Sequence, residues 1–404
     1  MSDATAAELA EISRGTVTID TTAELEKKWR RSRKTGKPLR IKLGVDPTSA
    51  DLHLGHAVQL RKLRQFQDYG HQIVLIIGDY TACVGDPSGR NKTRPQLTHD
   101  EVRANAQTYL DQAWKVIDES KTEVVYNGDW FRELAFLDVV RIASTMTVAR
   151  ILEREDFSNR YKGEQPISLH EFLYPLMQAH DSVEVKADVE IGGTDQTFNL
   201  LLGRDRMRHD ELEPQVCMTM PLLVGTDGEL KMSKSYGNYV GIDDAPADMF
   251  GKTMSIPDAL IRDYYDLCTS LAGSEIDEIM ARGPRDAKAT LAKTIVELYH
   301  GAAAGAEAEE AFNRVFRDRE DPEDMPEVTL APAQLDEAGT IWIVQLIIEA
   351  GLAAKNNEAR RKVEGGGVKI DGEKVEDAKA QIAVKNDMIL RVGKKNFRRI
   401  RVTE

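Results

Sequence analysis

His53 and His56 stand three residues apart with Gly55 between them, where a helical apolar pattern begins, and Gly44-Val45-Asp46-Pro47-Thr48 lies just upstream. On the first turn of a helix both imidazoles would project from one face, beside backbone N–H groups that have no intrahelical partner and already favour an anion. A flat base could lie against Gly55. Far downstream, Lys231-Met232-Ser233-Lys234-Ser235 sits among Gly225, Gly228 and Gly237. Two ammonium groups on such a loop can close over a departing polyphosphate and release it afterwards. Together these residues fit attack by a carboxylate on the α-phosphate of ATP. That reaction needs no protein nucleophile; it needs donors aimed at the developing charge, and losing one such donor typically costs ~2.7–4 kcal/mol. His53 and His56 would serve the α- and γ-phosphates, Thr48 the outer phosphates, and Lys231 and Lys234 the β- and γ-phosphates as they leave. Magnesium would arrive chelated to ATP, with no metal held by the protein. Asp195, in Gly192-Gly193-Thr194-Asp195-Gln196, suits a ribose diol, with turn capping as its alternative role. Gly44, Asp46, Gly55, Gly193, Met232 and Ser233 would complete the nucleotide site.

These groups are remote in sequence, so a scaffold must bring them together. Leu39 to Val45 and Ile73 to Ile77 read as buried strands separated by a helix over 56–68, the rhythm of a βαβ unit with a parallel sheet. Ligands of such sheets bind beyond the carboxyl ends of the strands. Residues 1 to about 34 suit an amphipathic helix, and 100–178 read as a mainly helical insertion between two sheet halves. The sheet resumes near Val189 and Gln215, and the lysine loop follows. Residues 239–317 read as a helical domain and 318–337, with Pro322, Pro326 and Pro332, as a linker. Beyond it come a helix over 341–350, a second helix ending at Gly365-Gly366-Gly367, and a hairpin of 388–392 with 397–402. No internal repeat is visible.

The chain has 404 residues and a net charge of −13, which looks unsuited to a polyanionic partner until it is divided. Residues 339–404 hold 14 Lys and Arg against 9 Asp and Glu, a net of +5, and the rest carries −18. A basic module on an acidic protein selects where a polyanion docks, with steep salt dependence. Arg360, Arg361 and Lys362 on the second helix, with Lys394, Lys395 and Arg398 on the hairpin, point to RNA rather than to a merely solvated face. Cys83, Cys217 and Cys268 form no close pair, so neither a disulfide framework nor a zinc knuckle is indicated. No apolar run nears the ~18 residues that span a bilayer, and the expectation is a cytoplasmic protein with no membrane partner.

The chain resembles bacterial tyrosyl-tRNA synthetases over almost its whole length, in a subgroup with an intact Lys-Met-Ser-Lys-Ser loop. The resemblance rests on the motifs at 44–48, 53–56, 192–196 and 231–235, with Gly85-Asp86-Pro87-Ser88-Gly89 and Tyr174-Pro175-Leu176-Met177-Gln178-Ala179-His180-Asp181. It implies a Rossmann-like α/β catalytic domain over 1–238, whose insertion forms a homodimer interface. An α-helical anticodon-side domain and a small α+β RNA-binding domain over 338–404 would follow. The implied partners are ATP, L-tyrosine and tRNA(Tyr). By the same resemblance Asp86, Tyr174 and Gln178 would hold the substrate ammonium, Gln196 would orient it, Thr81 would line the pocket, and Asp181 would accept the phenol. Tyr174, Gln178 and Asp181 do fall on one helical face. Where many members of the family have a second tyrosine beside the phenol, this chain has Lys42, which could donate to the phenol or point away. A small-molecule adenylyltransferase would have no use for the basic tail, and a silent RNA-binding paralogue would not need all four histidines and lysines. Tryptophanyl-tRNA synthetases normally lack such a tail.

Overall fold

The computed structural model describes residues 3–47, 51–87, 99–316, 325–336, 338–393 and 396–402. Thr48, Lys394, Lys395 and part of the 85–89 motif lie outside them. The chain forms two compact units, Met1–Glu309 and Glu310–Glu404.

The first unit is built on a six-stranded sheet: β1 (Thr18–Asp20), β2 (Arg40–Val45), β3 (Gln72–Ile77), β4 (Thr122–Tyr126), β5 (Val189–Gly193) and β6 (Val216–Met220), in the order β1-β6-β5-β2-β3-β4. All neighbours are parallel except β1, which runs antiparallel to β6. The chain leaves β2 for β3 on one side and returns to β5 on the other, so the switch point lies between β2 and β5. Those strands pair over only two rungs, Ile41 with Val189 and Lys42 with Glu190, and then part. A crevice opens above Lys42 as a result. Continuous apolar runs such as Gln72–Ile77 are buried on both faces, as a sheet covered by helices requires.

β4 corrects the reading of 100–178 as one mainly helical insertion, because its strand belongs to the sheet itself. Thr-Glu-Val-Val-Tyr is rich in β-branched residues and pairs in full register with β3. The insertion proper follows it, and Ile142, Ile151 and Phe157 pack there with Leu176, Ala179 and Leu202. Helix Leu54–Asp68, the motif helix, covers one part of the sheet. Helices Leu173–Glu184, the pocket helix, and Thr197–His209, the covering helix, lie together nearby. The first unit also takes in residues 239–309, most of the segment read as a separate helical domain. The reason is specific contact: the Tyr264 hydroxyl donates to the Val224 carbonyl at 2.7 Å, and Leu54 N–H donates to the Val240 carbonyl at 2.9 Å.

The second unit has strands β7 (Glu327–Leu330), β8 (Thr340–Trp342), β9 (Val368–Ile370), β10 (Glu373–Lys374), β11 (Gln381–Ala383), β12 (Met388–Val392) and β13 (Asn396–Val402). Five of them form a sheet in the order β10-β9-β12-β13-β7, and β8 pairs with β11. Helices Ile343–Glu349 and Asn356–Glu364 pack on a core that includes Val344, Ile347, Val363, Leu390 and Ile400. The linker read over 318–337 is corrected in its later part, because β7 pairs in parallel with β13 and buries Leu330. Pro326 and Pro332 bound that strand rather than marking loose chain.

Candidate active site

His53 is the N-cap of the motif helix, and its extended backbone starts the turn on which His56 follows. The two imidazoles stack with ring centroids 3.9 Å apart, and His53 N–H donates to His56 Nδ1 at 3.3 Å. A Cβ on Gly55 would stand 3.0 Å from two atoms of the His53 ring, so glycine lets the ring lie against the backbone. Burial, the His56 ring and the Lys234 ammonium push His53 down to about 3, and burial with Lys234 pushes His56 down to about 4. Both rings are therefore neutral at pH 7. A neutral imidazole still offers one N–H to a phosphate oxygen.

The Lys231–Ser235 loop reaches this site from β6. Val224 and Lys231 form an isolated antiparallel bridge, and the buried Asn238 ties the loop base together. Its carbonyl oxygen accepts from Ser233 N–H at 2.8 Å, and its amide donates to Asp227 at 2.8 Å. Met232 is buried beside Gly55, while Lys231 pairs with Asp195 at 3.3 Å and Lys234 with Asp51. The structure thus brings Asp195, both lysines and both histidines to one side of the crevice.

On the other side, Tyr174 and Asp181 are buried on the inner face of the pocket helix. The Tyr174 hydroxyl donates to Asp46 Oδ2 at 2.8 Å and the Thr81 hydroxyl to Asp46 Oδ1 at 2.7 Å. Burial nevertheless raises Asp46 to about 6, with the Asp86 charge adding to the effect. Asp181 accepts from Trp130 Nε1 at 3.0 Å and from Asn127 Nδ2 at 3.3 Å. Burial raises Asp181 to about 7 against the Lys42 charge and these two donors, and Asp46 raises it further. At the mouth, Asp86 accepts from Gln196 Nε2 at 2.9 Å and from Arg154 Nη2 at 2.7 Å. Asn199 Nδ2 joins Gln178 Oε1 to Gln196 Oε1, at 2.9 Å each.

Lys42 does not fit the role of a phenol donor. Its ammonium is fully buried and all three protons are taken, by the Gln178 carbonyl, Ser182 Oγ and Glu190 Oε1. In the second unit, Arg360 and Arg361 are exposed and Arg360 lies over the Trp342 ring, 5.6 Å from its centroid. Lys362 and Arg398 instead donate to carbonyls of their own unit, Leu352 at 2.6 Å and Ala350 at 3.2 Å.

The family "tRNA synthetases class I (W and Y)" matches residues 34–317, and "Tyrosine--tRNA ligase SYY-like C-terminal domain" matches residues 319–400. The tyrosine–tRNA ligase of Moorella thermoacetica is 49% identical over 98% of this chain and 96% of its own length. The chain belongs to the tyrosine–tRNA ligase family. The tyrosine–tRNA ligase of Mannheimia succiniciproducens is 50% identical, covering 98% of both chains. A C-terminally truncated mitochondrial tyrosyl-tRNA synthetase from Aspergillus nidulans shares the fold. Its TM-score is 0.64 at 24% identity, over 77% of this chain and 94% of that one.

Four side chains that bond to the candidate site residues escaped the sequence reading: Asn127 and Trp130 on Asp181, Arg154 on Asp86 and Asn199 on Gln178. Asn127 had a usable signal, because it follows β4 directly and strand carboxyl ends are where ligands bind. Arg154 and Asn199 had none, since they reach Asp86 and Gln178 only through tertiary packing.

Proposed function

We propose that the chain activates L-tyrosine with ATP and then transfers tyrosine to the 3′ end of tRNA(Tyr). A tyrosine carboxylate oxygen bonds to the α-phosphorus, the bond from that phosphorus to the α–β bridging oxygen breaks, and pyrophosphate leaves with that electron pair. A hydroxyl of the terminal ribose then attacks the acyl carbon and AMP departs. Neutral His53 and His56 donate to phosphate oxygens, with Thr48 completing the set. Lys231 and Lys234 exchange Asp195 and Asp51 for the leaving pyrophosphate. Asp195, freed of Lys231, takes the ribose. Magnesium enters with ATP in this reading, bound mainly by phosphate and water oxygens.

Asp86, Tyr174, Gln178 and Gln196 surround the substrate ammonium in this reading, Thr81 lines the pocket, and Asp181 accepts the phenol. The observation that carries it is the buried Asp181 on the same helix as Tyr174, with two N–H donors already on it. Amino-acid-dependent exchange of labelled pyrophosphate into ATP tests it: tyrosine should support exchange and phenylalanine and tryptophan should not. Exchange with phenylalanine at a comparable rate would overturn the Asp181 assignment.

The reading includes a homodimer through the insertion, supported by exposed Phe136, Leu137, Val148, Tyr161 and Leu169 within one stretch. It also gives the basic tail, through Arg360, Arg361, Lys362, Lys394, Lys395 and Arg398, to the tRNA. The division of labour we infer is 1–238 for catalysis, 239–317 for the anticodon side of the tRNA and the tail for its docking. No helix among the described residues is long and apolar enough to cross a membrane, and a cytoplasmic setting is part of the proposal.

A further inference from the structure

Lys42 and Glu190 are cross-strand partners at the last rung before β2 and β5 separate, and their ion pair is buried there. Lys42 Nζ donates to the Gln178 carbonyl at 3.0 Å, Ser182 Oγ at 2.7 Å and Glu190 Oε1 at 2.8 Å. The other Glu190 oxygen accepts from Ser182 Oγ at 2.7 Å and from Gln215 Nε2 at 2.9 Å. The covering helix closes over this network at Gly203, where a Cβ would come within 2.5 Å of Gln215 Nε2.

Such a pair is a poor way to gain stability, because two apolar side chains of similar volume are often as good or better. Its geometry suggests another use. Two of the three Lys42 acceptors lie on the pocket helix, and they flank Asp181: Ser182 adjoins it and Gln178 is three residues before it. The groups facing Asp181 are Lys42 from β2, Asp46 from the loop after β2, and Asn127 and Trp130 from beyond β4. Of the two charged ones, Lys42 favours the ionised carboxylate and Asp46 opposes it.

We propose that the Lys42–Glu190 pair is the positioning device for tyrosine selection: it pins the pocket helix to the sheet at Gln178 and Ser182, and its ammonium keeps Asp181 an anionic acceptor for the phenol. Lys42 acts from behind the helix and never touches substrate. The inference rests on the reading of Asp181 as the phenol acceptor.

The test is the double variant Lys42→Met/Glu190→Met beside Lys42→Met alone, read by tyrosine-dependent pyrophosphate exchange across pH. The single variant strands the Glu190 carboxylate and is expected to fold poorly, whereas the double variant strands no charge and should keep the parent's thermal midpoint. In the double variant the tyrosine KM should rise about tenfold, a scale typical for loss of outer support to a site, and the ATP KM should stay unchanged. The preference for tyrosine over phenylalanine should fall. The acid limb of kcat/KM for tyrosine should move to higher pH, because Asp181 has lost the charge that favours ionisation. A packing role alone would leave that limb in place, so a folded double variant with parental acid limb and selectivity overturns the inference. Asp181→Asn separates the two claims. If it abolishes selectivity while the double variant keeps it, only the Lys42 inference fails; if Asp181→Asn keeps selectivity, the reading beneath it fails.

Discussion

On the phosphate side of the crevice Lys231 and Lys234 reach Asp195 and Asp51 from partly exposed positions, with side chains 53% and 32% accessible. On the tyrosine side Lys42 reaches Glu190 with no exposure at all. The chemistry of the three ion pairs is the same, and the surroundings of the two sides are opposite. An exposed pair is worth roughly 0–1 kcal/mol and is easily exchanged for a phosphate. Breaking a buried pair by removing one partner costs about 3–5 kcal/mol, so it holds one geometry through the reaction. The difference follows the task of each side. On the reading proposed above, pyrophosphate must be gripped and then released, whereas the phenol must be tested against a carboxylate that cannot move away or hydrate.

The largest break in this comparison should come from Asp181→Asn, which keeps the shape and removes the charge. Sites built to bond a hydroxyl reject the analogue lacking it by ~10⁴–10⁵, a magnitude established for tyrosine-specific synthetases as a family rather than for this chain. Most of that discrimination should vanish in pyrophosphate exchange with tyrosine and phenylalanine compared side by side. Next in size, His53→Ala or His56→Ala should lower kcat for activation by about 10²–10³-fold, the usual cost of one lost transition-state donor. Tyrosine affinity, measured by equilibrium dialysis, should hardly change. If it falls as far as kcat, the two sides of the crevice are not separately built.

A smaller effect sharpens the contrast between the lysines. Lys231→Ala and Lys234→Ala should slow adenylate formation yet leave the unfolding free energy within about 1 kcal/mol of the parent, as exposed pairs do. A large loss of stability would mean that the loop is a structural clamp. The mildest prediction concerns acid. His53, His56, His71 and His180 are held down to about 3, 4, 4 and 4 chiefly by burial, while Asp46 and Asp181 are held up to about 6 and 7. Below pH 6.5 unfolding lets four histidines take up protons and two aspartic acids release them. The balance is an uptake of about two protons near pH 5. From these six groups stability should therefore level off only near pH 7.5 and fall as the pH drops from there toward 4, and chemical denaturation at several pH values would show the slope. A rise in stability over that window would mean that the aspartates outweigh the histidines.

How much was legible in advance differs between the same two sides. The phosphate side is made of short motifs whose members lie within five residues of each other, so local helix and loop geometry already places His53 with His56 and Lys231 with Lys234. On the tyrosine side spacing revealed only the face shared by Tyr174, Gln178 and Asp181, and Thr81, Asp86 and Gln196 came from the family resemblance. The partners on that side come from β2, the end of β4 and the covering helix. The missed strand at 122–126 hid Asn127 and Trp130, and the edge strand at 327–330 was hidden behind a composition of prolines and acids that usually means loose chain.

The sequence by itself determined which groups could do chemistry and on which side of each strand or helix they would stand, because periodicity and turn chemistry act over a few residues. It could not decide what Lys42 does. A buried ammonium goes wherever three acceptors can be assembled around it, and here those acceptors come from residues 178, 182 and 190. Only the packing of the pocket helix on the parting strands brought them within reach, since the cost of an unpaired buried charge is settled by neighbours in space and not by neighbours in the chain.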